Sequence, residues 1–202
     1  DEPFSALDPM IRRQMQDDLL KLQESIQKTV VFVTHDLDEA VKMGNRIAIM
    51  RDGRLIQVGT PEDIVTHPVD SYVEEFVQDV NRGHVVSVGT VMRTDQEFVL
   101  GQDTVEIARQ RLKGIKGNTL YVVNDEGKPV GLVTLDILDQ AKGNGTDSLA
   151  EILQTDFPKV NANASLREAY SMFSGRLPLA VVNDKGNLVG QIRPRHIVKG
   201  LQ

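Results

Sequence analysis

The sequence predicts an α/β segment followed by an α+β tandem repeat, and three observations carry that assignment. An unbroken apolar run, Val30-Val31-Phe32-Val33, follows an amphipathic helical pattern, as expected of a strand buried on both faces of a parallel sheet. An Asp-Gly pair, Asp52-Gly53, separates two apolar runs and marks a hairpin. The block Val122-Val123-Asn124-Asp125-Glu126-Gly127-Lys128-Pro129-Val130-Gly131 recurs 59 positions on as Val181-Val182-Asn183-Asp184-Lys185-Gly186-Asn187-Leu188-Val189-Gly190.

Taken in order, Pro9 starts a helix in which Ile11, Met15, Leu19, Leu22 and Ile26 recur at helical spacing to about Gln27. Thr29 to Thr34 is the predicted strand, with His35 just beyond its carboxyl end, where open α/β sheets bind ligands. Asp36 caps a helix through Glu39, Ala40 and Met43 that stops at Gly44. Arg46–Met50 and Arg54–Val58 form the hairpin. Thr60-Pro61-Glu62-Asp63 opens a short helix with a cap, a proline at its first position and an acid at its third. A further helix runs from Asp70 to about Val80, and Asn81 to Gly83 is a predicted boundary. Each repeat then reads as a short leading helix, a strand, an amphipathic helix, a hairpin with an Asp-x-Gly turn and a final helix. Ahead of the central strand, Val99 and Val105 match Val160 and Leu166 at an offset of 61, so the second copy is two residues shorter there. Two copies of this length are not a solenoid. The predicted divisions are 1–79, 80–143 and 144–202.

Composition excludes several classes. The chain has 202 residues, 40% apolar and 26% charged, in the range of ordinary globular domains. No apolar run approaches the roughly 18 residues of a membrane-spanning helix, so membrane contact is expected to be peripheral or through partners. With no cysteine there is no disulfide framework, thiolate metal site or thiol nucleophile, which is compatible with the cytoplasm. A net charge of −6 argues against a nucleic-acid partner. The balance is uneven: residues 1–79 carry 8 basic and 16 acidic side chains, residues 80–202 carry 15 and 13. Two different surfaces are expected to meet different partners.

Asp1-Glu2-Pro3-Phe4-Ser5-Ala6-Leu7-Asp8-Pro9, joined to Thr34-His35-Asp36 after the apolar run, resembles the second half of an ABC transporter ATPase, a P-loop fold. The resemblance implies that Asp1 and Glu2 end a Walker B motif, that Ser5 to Asp8 form the D-loop at a dimer interface, and that His35 is the switch histidine. In the full-length parent, Asp1 would hold Mg²⁺, Glu2 would polarise the water attacking the γ-phosphate of ATP, and His35 would bond that phosphate. No Gly-rich stretch ending in Gly-Lys-Ser/Thr occurs in the sequence, so this chain alone is expected to be inactive. Residues 1–79 are expected to be the C-terminal half of the ATPase domain, in part disordered or rearranged against a second copy, because exposed sheet edges pair wrongly.

The repeat resembles a tandem CBS pair, a regulatory module that binds adenosine nucleotides between its copies. Together the two parts resemble the ATPase subunits of glycine betaine/proline importers. That family implies a homodimer on two permease subunits at the cytoplasmic face of a bacterial membrane, fed by a substrate-binding protein. For the CBS ligand, cyclic di-AMP or another adenine nucleotide, the matching positions are Thr134 and Asp136 in copy one and Arg193 and His196 in copy two. Copy two lacks the usual Asp, though Arg193 suits a phosphate; Thr134 and Asp136 serve equally as helix caps. Importers of this kind are switched by ionic strength at anionic lipid, and Arg109, Lys113 and Lys116, with Arg111 nearby, form the basic helix face where such a contact is expected; a solvated face is the alternative. His67 and His84 stand apart from other ligand types and are expected in loops. A stand-alone ligand-sensing module whose ATPase remnant scaffolds a dimer is the competing reading.

Overall fold

The computed structural model describes residues 1–94, 98–114, 118–175 and 177–201, and the chain divides into two compact units, Asp1–Asn81 and Arg82–Gln202. In the first, helix α1 (Pro9–Ile26) starts at Asp8, whose carboxylate accepts from the Met10 and Ile11 amides at 3.0 and 3.1 Å, and ends at Gln27 in the left-handed region. Helix α2 (Leu37–Met43) is capped by Asp36, and strands β1 (Ile47–Arg51) and β2 (Arg54–Gly59) form an antiparallel hairpin. Its turn places Asp52 at φ 50° and Gly53 at φ 73°, the two positive values that a two-residue hairpin loop needs. Helix α3 (Pro61–Thr66) carries the Thr60/Asp63 capping box and α4 (Ser71–Val77) the Asp70 cap. Ile47, Ile49, Ile64, Val65, Val73 and Val77 are buried.

One expectation for this unit fails. Thr29 to Thr34 forms no strand, and Val31 is 85% exposed. A doubly buried strand needs a ladder on both sides, and among the described residues the run makes one backbone bond of the kind, Glu2 N–H to the Val33 carbonyl at 2.8 Å. The same lack of cover leaves Ile11, Met15, Leu22 and Ile26 exposed on α1, while the residue that α1 buries is polar, Gln16.

The second unit holds two three-stranded sheets. After α5 (Arg82–Val85) and α6 (Val88–Val91), copy one runs β3 (Phe98–Leu100), α7 (Val105–Gly114), β4 (Thr119–Val123), β5 (Pro129–Thr134) and α8 (Leu135–Gly143). A 3₁₀ turn (Leu149–Glu151) leads into copy two: β6 (Lys159–Asn161), α9 (Leu166–Ser171), β7 (Leu179–Val182), β8 (Leu188–Ile192) and α10 (Pro194–Gly200). In each sheet the first strand pairs parallel and the third antiparallel to the central one. Val99, Ala108, Leu120, Val122 and Leu138 are buried in one core; Val160, Leu166, Val181 and Ile192 in the other.

Each copy completes the other. Val86 and Val88, in the segment that leads into copy one, lie in the core of copy two. Leu149, with Ile152 and Leu153, packs into the core of copy one. The sheets extend the same way: Arg93 pairs with Gln191 of β8, and Gln154 with Leu132 of β5. The hairpin turns interlock as well, since the Leu188 amide donates to the Gly127 carbonyl at 2.9 Å and the Asn187 side chain to the Glu126 carbonyl at 2.6 Å.

Candidate functional site

In the first unit, Glu2 and His35 meet. Glu2 adopts φ 40°, which turns the chain so that its amide reaches Val33 while its Oε1 lies 2.6 Å from His35 Nδ1. Asp1 is exposed next to them. Ser5 Oγ donates back to the Glu2 carbonyl at 3.1 Å, and Asp8 holds the start of α1. Arg12, one turn into that helix, donates to the Ser5 and Leu7 carbonyls at 3.4 and 3.2 Å, so the turn from Ser5 to Asp8 is clamped by its own helix. The same guanidinium lies 3.8 Å from buried Glu39, whose carboxylate accepts from Gln16 at 3.1 Å and from Thr34 at 2.8 Å. Helices α1 and α2 are thereby braced against each other and against Thr34, the neighbour of His35.

An acid and an imidazole at this distance form a charge-assisted pair that can accept and relay a proton. Glu2 raises the pKa of His35, first through the hydrogen bond and then through its charge. The protonated, paired form is therefore fully present below the ordinary value near 6.5 and fades as pH rises through the elevated one. A histidine titration followed by NMR should place the His35 midpoint above that value, and Glu2→Gln should bring it back; a midpoint that does not move in Glu2→Gln would remove the pairing. The sequence holds no Gly-rich loop ending in Gly-Lys-Ser/Thr beside this pair.

In the second unit, Thr134 caps α8 through a 3.4 Å bond to the Ile137 amide, with Asp136 exposed in the first turn. At the matching place in copy two, Arg193 precedes α10 and its amide donates to His196 Nδ1 at 3.2 Å. Between the copies, Tyr121, Leu132, Phe157 and Ala180 form an apolar joint. The Tyr121 hydroxyl donates across it to the Pro178 carbonyl at 3.0 Å, and burial pushes its pKa up.

On α7, the basic face is largely spoken for. Arg109 donates to Asp139 of α8 at 2.8 Å, and Arg111 donates to the Phe98 carbonyl near Asp103. The bond to Asp139 raises the Arg109 pKa, and a second bridge joins Lys142 to Glu106 at 3.1 Å. Lys113 is exposed, and Lys116 lies outside the described residues. Among the described residues no three His, Cys, Asp or Glu side chains converge on a metal site, and no helix is long and apolar enough to cross a membrane. Sequence reading missed Arg12, Gln16 and Glu39, which carry no local motif, and the Tyr121 joint.

The CBS-domain profile matches residues 88–141 and 149–202. The glycine betaine transport ATP-binding protein OpuAA of Bacillus subtilis is 39% identical over 94% of this chain and 45% of its own length. The glycine betaine/proline betaine transport system ATP-binding protein ProV of Salmonella typhimurium is 37% identical over 100% of this chain and 51% of its own. The chain thus spans about half the length of these curated relatives. Among solved structures, a hypothetical conserved protein from Geobacillus kaustophilus aligns over 57% of this chain and 96% of its own (18% identity, TM-score 0.52). The cystathionine beta-synthase pair domain of a protein from Shewanella oneidensis MR-1 aligns over 56% and 68% (22%, TM-score 0.50).

Proposed function

Since the chain belongs to the CBS-domain family, we propose that it is the regulatory C-terminal part of the ATP-binding subunit of an ABC importer for glycine betaine/proline-type osmoprotectants. The observation that carries this is the joining, in one chain, of the Glu2/His35 pair behind an ABC-type motif to a CBS pair, in a chain 39% identical over 94% of its length to a glycine betaine transport ATP-binding protein. On this reading the complete subunit uses ATP and Mg²⁺, with Asp1 on the metal and Ser5 and Asp8 at a homodimer interface. When bound, Mg²⁺ would neutralise phosphate charge; Glu2 would accept a proton from water, with His35 holding the carboxylate in place. Permease subunits at the cytoplasmic face of the membrane and a substrate-binding protein are the implied partners. The division at 79/80 and 143/144 belongs to the same proposal.

The CBS pair is the control element, and an adenine nucleotide between its copies, cyclic di-AMP included, is the proposed signal. Thr134, Asp136, Arg193 and His196 support this by their places at the ends of β5 and β8. Ionic-strength sensing through α7 is the second reading. Exposed Lys113 favours it, while the engagement of Arg109 and Arg111 within the fold weighs against it. The transporter reading is tested by the reading frame that encodes the chain. It expects a Gly-rich loop ending in Gly-Lys-Ser/Thr in frame ahead of Asp1; a start codon close ahead of Asp1, with no such loop, leaves the stand-alone sensor. Calorimetry of the chain with AMP, ATP and cyclic di-AMP tests the signal, and no heat from any at millimolar ligand would end the nucleotide proposal.

A further inference from the structure

The guanidinium of Arg12 serves two loops at once. Its Nη2 donates to the Ser5 carbonyl at 3.4 Å and to the Leu7 carbonyl at 3.2 Å, across the turn that precedes α1. Its other edge faces α2, with Nη1 3.9 Å from Asp36 Oδ2 and Nε 3.8 Å from Glu39 Oε1. Both acids bear on His35. Asp36 is its chain neighbour, and Glu39 holds the neighbour on the other side, accepting from the Thr34 hydroxyl at 2.8 Å; that hydroxyl in turn accepts from the Asp36 amide at 3.0 Å.

Two observations show that Arg12 is held between these partners rather than committed to the acids. Its Nε is buried without a hydrogen bond, and both carboxylates stand beyond hydrogen-bond distance, so the attraction on that side is one of charge alone. Beside it lies a cavity of about 50 Å³ whose walls include Glu2, Ser5, His35 and Asp36. That exceeds the roughly 30 Å³ that a water takes up in the liquid, and it leaves the surrounding side chains room to shift. Glu39, by contrast, is buried and fixed by Gln16 at 3.1 Å and by Thr34. Arg12 is the movable member.

We propose that Arg12 is a positioning residue that links the turn of residues 5–8 to the His35 loop, so that a change at either one is felt at the other through a single guanidinium. When the turn draws away, the cation loses two carbonyl acceptors and closes on Asp36 and Glu39; when the acids lose charge, it commits to the turn. Such coupling is reciprocal. Arginine suits the task because its rigid fork presents donors in several directions, whereas a lysine ammonium is one point charge. The inference rests on the transporter reading, in which the turn lies at a homodimer interface and Glu2 acts on water, and deepens it: contact at the interface and the geometry of the Glu2/His35 pair become mutually dependent.

Amide hydrogen exchange of the whole chain, followed by NMR, tests this at Leu7, whose amide donates to the Phe4 carbonyl at 3.1 Å within the turn. Arg12→Met should speed exchange there about tenfold, as expected when hydrogen bonds from a charged group are lost. Glu39→Gln, which keeps an acceptor for Thr34 and removes the charge, should do the opposite and slow Leu7 exchange several-fold, because the guanidinium is released to the turn. Made in the Arg12→Met background, Glu39→Gln should leave Leu7 unchanged, and in Arg12→Lys it should do little more. Thermal melting should show the variants folded; if Glu39→Gln is not, Asp36→Ser carries the test, since serine keeps the cap of α2 and drops the charge. Faster exchange at Leu7 in Glu39→Gln, or the same response with and without Arg12, would mean that Arg12 only packs and would overturn the link. In the complete subunit, Arg12→Met should lower kcat roughly tenfold or more with KM for ATP close to wild type, the mark of misplacement rather than lost binding; an unchanged kcat would overturn the positioning role. The exchange experiment involves no nucleotide, so the two readings fail separately. Coupling at Leu7 in a protein with no Gly-rich loop upstream keeps the link and ends the transporter reading, and such a loop without coupling does the reverse.

Discussion

If the transporter reading holds, Glu2→Gln in the complete subunit is expected to slow ATP hydrolysis by roughly 10²–10⁴-fold, the span typical of a lost general base, and to leave ATP affinity nearly unchanged. Glutamine keeps the shape of Glu2 and an acceptor for His35, whose Nδ1 is 2.6 Å away, but cannot take a proton or carry charge. The braces around the pair, from Arg12 to the Ser5 and Leu7 carbonyls and from Glu39 to Thr34, do not involve the Glu2 carboxylate. Geometry should survive while chemistry fails. Single-turnover rates beside equilibrium ATP binding make the distinction. A rate close to wild type, or an equal loss in both quantities, would take the proton-accepting role away from Glu2.

Gly190→Val is expected to destabilise the second unit by about 3 kcal/mol and to lower its melting temperature by roughly 10 °C. A Cβ at Gly190 would stand 2.5 Å from Met92 Sδ and 3.0 Å from the Arg93 carbonyl. The sulfur can swing aside; the carbonyl belongs to the pairing that extends the sheet of copy two and cannot. The equivalent Gly131 would meet the Leu153 Cβ and the Gln154 carbonyl at 3.1 and 3.2 Å, so Gly131→Val should behave alike. Gly143→Ala, at the end of α8 with open space around it, should be neutral or slightly stabilising. Thermal unfolding of the three variants checks this, and a Gly190→Val protein as stable as Gly143→Ala would mean that the close approach is not required.

Local signals in the sequence foretold local structure. Asp36 and Thr60/Asp63 cap the helices that they should, and Asp52-Gly53 makes its hairpin. The repeat was legible because its period of near sixty residues preserved both the Asp-x-Gly turns and the apolar strands. Thr29 to Thr34 misled because its four apolar residues report only what the segment would do beside sheet neighbours, and a strand is a property of a ladder. Arg12, Gln16 and Glu39 were illegible for a related reason: Gln16 and Glu39 are 23 positions apart, and nothing between them encodes the meeting. Arg109 read as a solvent-facing cation since its partner, Asp139, lies 30 positions away on another helix. The two unlike ends of the pair, Thr134 against Arg193, could be aligned from the repeat.

The reciprocal exchange of leading segments has a consequence for the order in which the chain is made. Val86 and Val88 leave the ribosome ahead of the strands of copy one, but the core that buries them, around Leu179, Val181 and Ile192, is synthesised last. At about 5–20 residues per second, the roughly 100 intervening residues keep those apolar side chains waiting for some 5–20 s. Copy one, whose own supplement around Leu149 follows it immediately, has no such delay. The nascent chain therefore passes through a stage with one finished copy and a tethered, uncovered apolar segment, and the interval ends only when the last strand arrives to close over it.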